Sequence, residues 1–585
     1  MTTIHCQSPA DASMLTVATG SALTFRGQAI DPAGIAAVAV NGAPVAVGAD
    51  GSFGAPITSA FGINFVDVVA TNTAGEVSAS TCTFLAADTF AAEADFLDDN
   101  VSLRLSQSAI DDGSRAGPVA SFGDVLNVVL NDTSGLTSAI DGVLNATNPL
   151  KPLSCDNEVC PLGHCVCLLS SGLDYVSGSF SVVGPNTAAL TLLEEQSSQG
   201  LRATATIGAL SLTLRAHGQV AGIPYDITGG VALNQLMSGM SFDVSASSGL
   251  PSVSVLPGSA SVTVGSVSLS FPGLVGDVVD LISPLVQGPL KTRISQQLQE
   301  TIPHAFQSSL DLLISRLMLP TGTVDVPRIG EPGAVTLDLT GELSSLDVNA
   351  QTQGALFGLG TRISVAPGQT ITSLGIALPQ GALLRDAGGG APIAVSVHTG
   401  TINQVLHALW RGGLFHTTIA AGSLPGVPPG MVAQIETLLP PVVTAGPGNE
   451  VDLRVGAVHV MLTVPGVFDT PVSFVAGGEG SATVAVAGDA LELTNATIDG
   501  LHIGAVDTSL DDAQLATIEG IVRVLLGRLL DSALGGAGVA VIIPAFPIPA
   551  ELVNSGLPAG EFGLVGPTVA SVPPHFDLSG SFGIR

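Results

Sequence analysis

The chain has 585 residues, 46% hydrophobic and 11% charged, with 48 acidic against 17 basic side chains and a formal net charge of −31. A chain this apolar is not disordered, and one this acidic is repelled by nucleic acid and by anionic membrane surfaces. Its length allows several domains, each with a core of its own.

The start, "MTTIHCQSPADAS", lacks the basic residues and apolar run of a leader peptide, and Cys6 lacks the context of a lipoprotein site. Scarce lysine, abundant Thr, Ser and Gly, and an even number of cysteines nevertheless suggest an exported chain: extracellular, periplasmic or at the cell surface. On that reading the start belongs to a truncated or mis-started sequence.

Residues 8–87 read as short alternating strands separated by turns, among them Asn41–Gly42 and Asp50–Gly51. That spacing predicts a small β-sandwich over 1–87, and a disulfide between Cys6 and Cys82 would close it. The acidic, Ala-rich stretch 88–99 reads as a linker. Beyond it, 100–117 predicts a strand and a turn. A helix is expected over 118–130, with Pro118 in its first turn and Phe122, Val125, Leu126 and Val129 on one face.

The segment "SCDNEVCPLGHCVC" holds Cys155, Cys160, Cys165 and Cys167 beside His164. Thiolates with an imidazole suit zinc, but the spacing is C-x4-C-x4-C-x-C rather than paired C-x-x-C. Two local disulfides are the preferred reading, with three pairings open and no metal expected.

Residues 201–220 alternate over Leu201, Ala203, Ala205 and Ile207, then shift phase to Leu212, Leu214 and Ala216, which predicts a bulge. One unbroken strand here would span roughly 65 Å. A helical pattern over 274–317 follows, in which Pro284, Pro289 and Pro303 are expected to kink or break the helix. The second half repeats this grammar. Strands are expected near 323–365 and 391–399, helices over 401–411 and 430–439, strands from 451, and a long helix over 509–534 capped by Ser509 or Asp511. Strands are expected again from 539 to the end. Gly412–Gly413 should end the 401–411 helix. The uncharged stretch 532–550 is long enough to span a membrane, but it is interrupted by Gly535–Gly536, Pro544, Pro547 and Pro549 and reads as a strand instead.

A long helix beside strands of matching length implies an elongated body, most simply a highly twisted antiparallel sheet wrapped on the helix. Three stretches carry a family resemblance: "NVSLRLSQSAIDDG" from 100, "LVGDVVDLISPLVQGPLKTRISQQL" from 274, and "INQVLHALWRGGLF" from 402. They resemble the bactericidal/permeability-increasing protein family, which includes lipopolysaccharide-binding protein and the plasma lipid-transfer proteins of the tubular lipid-binding superfamily. The run "VAVGADGSF" resembles bacterial immunoglobulin-like repeats.

The resemblance implies an α+β protein. An immunoglobulin-like β-sandwich would precede two elongated, twisted antiparallel barrels, 100–320 and 321–585, each wrapped on long helices and joined by a central sheet in a boomerang. It implies apolar tubes that hold lipid without catalysis or cofactor. Val125, Leu126, Val129, Leu274, Val278 and Leu281 would line the first tube, and Leu406, Leu409, Trp410, Ile518, Val522 and Leu525 the second. Ordinary core packing explains the same periodicity. Lipids or apolar small molecules are the expected partners, and a membrane surface is carried as a second one. The absence of a Lys/Arg cluster speaks against lipopolysaccharide recognition through a basic patch. No G-x-S-x-G elbow or HExxH pair suggests an enzyme, and "GALFGLG" (354–360) lacks a nucleotide-site context. The competing reading is a surface adhesin or structural protein with side-chain-filled barrels.

Overall fold

The structure is a computed structural model. It describes residues 2–585 except 161–163, 194–198, 273–275, 320, 329–330, 369, 388–389, 421–429, 468–469, 489, 506–511 and 535–540. Seven helices are described: α1 (Gln107–Ile110), α2 (Phe122–Asn131), α3 (Thr133–Ala146), α4 (Gly276–Ile314), α5 (Thr399–Arg411), α6 (Asp512–Leu534) and α7 (Ala550–Asn554).

Residues 3–87 form a two-sheet sandwich. Thr3–Ser8, Ala22–Ile30 and Ser52–Thr58 make one sheet. Ser13–Thr16, Val77–Ala87, Gly62–Asn72, Ile35–Val40 and Ala43–Val45 make the other. Phe25, Phe53, Val38, Val66, Val68 and Phe84 fill the space between them. The Cys6–Cys82 disulfide joins one sheet to the other. Asn41 and Gly42, at φ 48 and 77, make the tight hairpin turn their sequence predicts.

The stretch 88–99 is not a free linker. Thr89–Ala91 pairs with Ile376–Leu378, and the strand Leu97–Ser106 already begins within it. Its acidic residues find local partners instead of solvating a tether: Asp88 accepts from Thr19, and Glu93 meets Arg411 at 3.1 Å.

Leu97–Ser106 lies at the middle of an eight-stranded sheet. It runs between Gly354–Val365 and Ile393–His398, and the C-terminal strands Glu561–Val572 and His575–Ile584 complete that side. Two half-barrel sheets accompany this central sheet. The first, built on Gly200–Val220 and Ile223–Ser247, packs against α4 with α2 and α3 nearby. The second, built on Glu450–Thr463, Val472–Ala487 and Ala490–Ala505, packs against α6. Both are open sheets, not closed barrels. Their apolar faces are covered by a helix, which removes the need for the sheet to close on itself.

Helix α4 runs unbroken for 39 residues, about 58 Å. The three prolines lie within it without ending it, so the expected break does not occur. Helix α2 begins at Phe122, later than 118, because Ser121 caps it by accepting from the Asp124 N–H at 3.2 Å.

The phase slip of Gly200–Val220 is real, but its register does not shift. Ile207 pairs with Leu236 and Ala209 with Asn234. Between them Gly208 and Gln235, the latter at φ 55, leave the ladder together. Both strands therefore change buried phase at the same point and stay in register. The expected helix over 430–439 is instead the strand Val432–Thr437. Ala433, Ile435 and Thr437 are buried while Val432 and Gln434 are exposed, a period of two, and the segment pairs on both edges.

The N-terminal sandwich is docked on the second half-barrel. Ile63, Leu85 and Ala87 pack with Leu439, Val442 and Ala457, and Arg454 donates to the Ile63 carbonyl at 3.1 Å. No helix among the described residues is long and apolar enough to cross a membrane.

Candidate functional site

The candidate site is the apolar interior of the two helix-on-sheet units. In the first unit, the inward side chains of Gly200–Val220 (Ala203, Ala205, Ile207, then Leu210, Leu212, Leu214) and of Ile223–Ser247 (Val231, Leu233, then Leu236, Met240, Phe242) are buried. Against them α4 presents Ile294, Leu298, Ile302, Phe306, Leu310 and Leu313, each at most 2% exposed. Val125 and Leu126 of α2 join this core, with Val129 half-buried beside it. Leu274 lies outside the described residues, and so do the side chains of Val278 and Leu281.

Burial is uneven at the end of the unit remote from the central sheet, where Leu214, Ala216 and Val231 are at most 1% exposed. Gln299 donates to the Ala260 carbonyl at 2.5 Å, which sets the level of the helix along the sheet. Beyond that level, Tyr225, Ile227, Val262, Val267 and Leu269 touch the same core but are only partly buried. The inner face ends in a polar group that the sequence pattern did not flag. By register Lys151 shares a side with Leu173, the side on which Leu169 and Ser171 are also buried. The Lys151 ammonium donates to Asp156 and to the Ser171 hydroxyl, and that hydroxyl donates to Asp156. Burial, then the nearby Asp156 charge, raises the pKa of Tyr225. Lys151 is one of only two lysines in the chain; that scarcity was the available signal.

In the second unit, Ile518, Val522 and Leu525 of α6 are buried, and so are Leu406, Leu409 and Trp410 of α5. Each of these side chains is at most 1% exposed. Trp410 is fully buried, and its indole N–H donates to the Thr437 carbonyl at 2.7 Å. Helix α5 is covered on every side, not only on its apolar stripe. Gln404 accepts from Thr361 and donates to the Thr361 carbonyl, Asn403 bonds both ways with Val443, and His407 meets Ser373 at 2.8 Å. The helix ends in a Schellman turn. The Gly413 N–H bonds the Trp410 carbonyl, the Leu414 N–H bonds the Leu409 carbonyl, and Gly413 sits at φ 78. A Cβ on Gly412 would come within 2.4 Å of Val335, so this turn also needs glycine for close packing.

Burial pushes His407 down to about 3 and His398 down to about 4, so both are neutral imidazoles at neutral pH. His416, the other histidine near Trp410, is exposed.

The cysteine cluster pairs as Cys155–Cys167 and Cys160–Cys165. Glu158 lies within 4.8 Å of the Cys160 and Cys165 sulfurs, but disulfide sulfur is not a thiolate and this trio cannot hold zinc. Four surface hollows of 350 to 500 Å³ take no lining residue from the expected ligand-binding set.

The family description "Glucodextranase, domain B" matches residues 3–87. No curated protein matches the chain. Among solved structures, the chain is similar to a lipopolysaccharide binding protein, at 11% identity and TM-score 0.43, over 83% of this chain and 99% of that one. It is also similar to P47 of Clostridium botulinum E1, at 10% identity and TM-score 0.28, over 83% of this chain and 100% of the other. Takeout 1 of Epiphyas postvittana, at 11% identity and TM-score 0.16, covers 31% of this chain and 88% of its own. All three lie below the likeness at which a shared ligand follows.

Proposed function

We propose that this chain binds lipids or other apolar molecules, without catalysis, inside its helix-on-sheet units, and that it works outside the cytoplasm, where its three disulfides are stable. The observation that carries this reading is the partly buried margin of the first unit's apolar face. The apolar face extends to partly buried Tyr225, Ile227, Val267 and Leu269, and it reaches the Lys151–Asp156–Ser171 group. An acyl chain entering there would leave water at a gain of about 0.8 kcal/mol per buried CH₂, with its polar head beside the lysine pair. A basic patch for anionic lipid plays no part in the proposal.

Native mass spectrometry and organic extraction of the purified chain test the reading, together with uptake of a fluorescent fatty acid. Bound lipid or uptake is expected, and Leu269→Trp should reduce it by filling that margin. A chain with neither bound lipid nor uptake would sink the proposal. The second reading, a structural or adhesive surface protein filled by its own side chains, is favoured at the second unit by the complete burial of α5 and Trp410.

A further inference from the structure

One face of the N-terminal sandwich is only half covered. The outward side chains of its five-stranded sheet alternate with the core positions Val38, Val66, Val68 and Phe84. Toward one end they are Ile63, Phe65, Asp67, Thr83 and Leu85, which meet the second unit. Register continues the same face past that seam in two rows. Pro44, Ala39, Val69 and Ala79 make the first, and Ala37, Thr71 and Val77 the second. Neither row holds a charged side chain. Val77 is 65% exposed, and Ala37, Pro44, Val69 and Ala79 are exposed with it. At the border Asp67 is taken by His502 and Thr81, and at the far end Glu76 is taken by Asn72. The opposite outer face of the sandwich is polar, with His5, Thr24, Arg26 and Gln28.

We infer that a second copy of this chain covers these two rows, face to face about a two-fold axis. Stacked sheets lie about 10 Å apart, and the small side chains of Ala37, Ala39 and Ala79 leave room for that approach. A two-fold contact sets a patch against itself. On a chain of net charge −31, an acidic patch would then meet an acidic patch. Here no charge meets its copy. The rows also continue a surface already used for docking, since Ile63 and Leu85 of the same sheet face are buried against Leu439, Val442 and Ala457. Edge-to-edge pairing is opposed, because the edge strand Ala43–Val45 has three residues and carries Pro44. Seven residues a side fall short of the roughly 20–30 of a standard interface, so the pairing is weak. The inference does not depend on whether the interior holds lipid.

The test is sedimentation equilibrium of the full chain, from micromolar concentrations upward, at low and physiological salt. A monomer–dimer equilibrium is expected. It should tighten at physiological salt, where charges more than about 8 Å apart are largely screened and two acidic chains repel less. Val69→Asp and Val77→Asp should each weaken the dimer about tenfold or more, because the two-fold brings each new charge toward its copy, with circular dichroism unchanged. Should either Asp variant misfold, Val69→Ser and Val77→Ser take its place, and weaker pairing is again expected. Three outcomes overturn the inference: a wild type that is monomeric at every concentration and salt, a dimer that the variants leave intact, or a dimer that salt weakens. Lipid extracted from the same protein is read separately, so the interior reading can fail while this one stands.

Discussion

Phe65 of the N-terminal sandwich stacks on His502 of the second half-barrel, with ring centroids 4.2 Å apart and planes within 10°. The same imidazole meets Asp67 at 3.3 Å and, as its largest cause, holds that carboxyl below its ordinary pKa. The backbone opposite is glycine where the sandwich comes close. A Cβ on Gly477 would lie 2.3 Å from the Phe65 ring, and one on Gly456 would lie 2.4 Å from Thr83. The sandwich is thus seated on the second unit by shape as well as by chemistry.

Gly477→Ala should therefore disturb the seating without touching either core. Overpacking of this kind costs about 1–3 kcal/mol. Scanning calorimetry should show a lowered transition, and limited proteolysis faster release of residues 3–87. A variant as stable and as resistant as the wild type would show that the contact yields freely.

Removing the Cys6–Cys82 bridge, with a sequence separation of 76, should cost about 4.5 kcal/mol on the chain-entropy account. Denaturant titration of Cys6→Ser with Cys82→Ser measures it. The loss should fall on the sandwich transition and spare the remainder.

Buried neutral histidines set an acid limit. His407 titrates near 3 and His398 near 4 in the folded chain, below the ordinary 6.5. Between those values and about 6.5 the unfolded chain binds protons that the folded chain does not. Stability should be full above about pH 6.5 and fall on acidification, by at most about 1.4 kcal/mol per pH unit for each histidine. Melting temperature against pH checks the sign. His407→Gln should flatten the slope, and an unchanged slope would assign it elsewhere.

Trp410 is the chain's single tryptophan, so its fluorescence reports one site. Emission should be blue-shifted and shielded from iodide, and should not respond to added fatty acid. Trp410→Phe strands the Thr437 carbonyl, at about 1–3 kcal/mol. A ligand-dependent shift would place Trp410 at a binding surface after all.

Much of this was legible in the residues themselves. The pattern Ile402, Val405, Leu406, Leu409, Trp410 and then Gly412–Gly413 specifies a helix, its buried stripe and its stop, because period and left-handed φ are local properties. Cys6 and Cys82 flank one alternating block, and they pair. Segment 430–439 reads as a helix in sequence because its apolar residues fit both periods, and only pairing with His416–Ala420 and Glu450–Thr463 decides for strand.

By itself, then, the sequence determined the sandwich, the long strands and the long helices, all set by periodicity and composition. Tertiary structure alone decided that α5 is covered on every side. It also decided that Lys151 and Asp156 meet at the end of an apolar face and that Val69 and Val77 share one open face of the sandwich. Those facts depend on which strands pair and in what register, and pairing brings together residues that no local pattern relates.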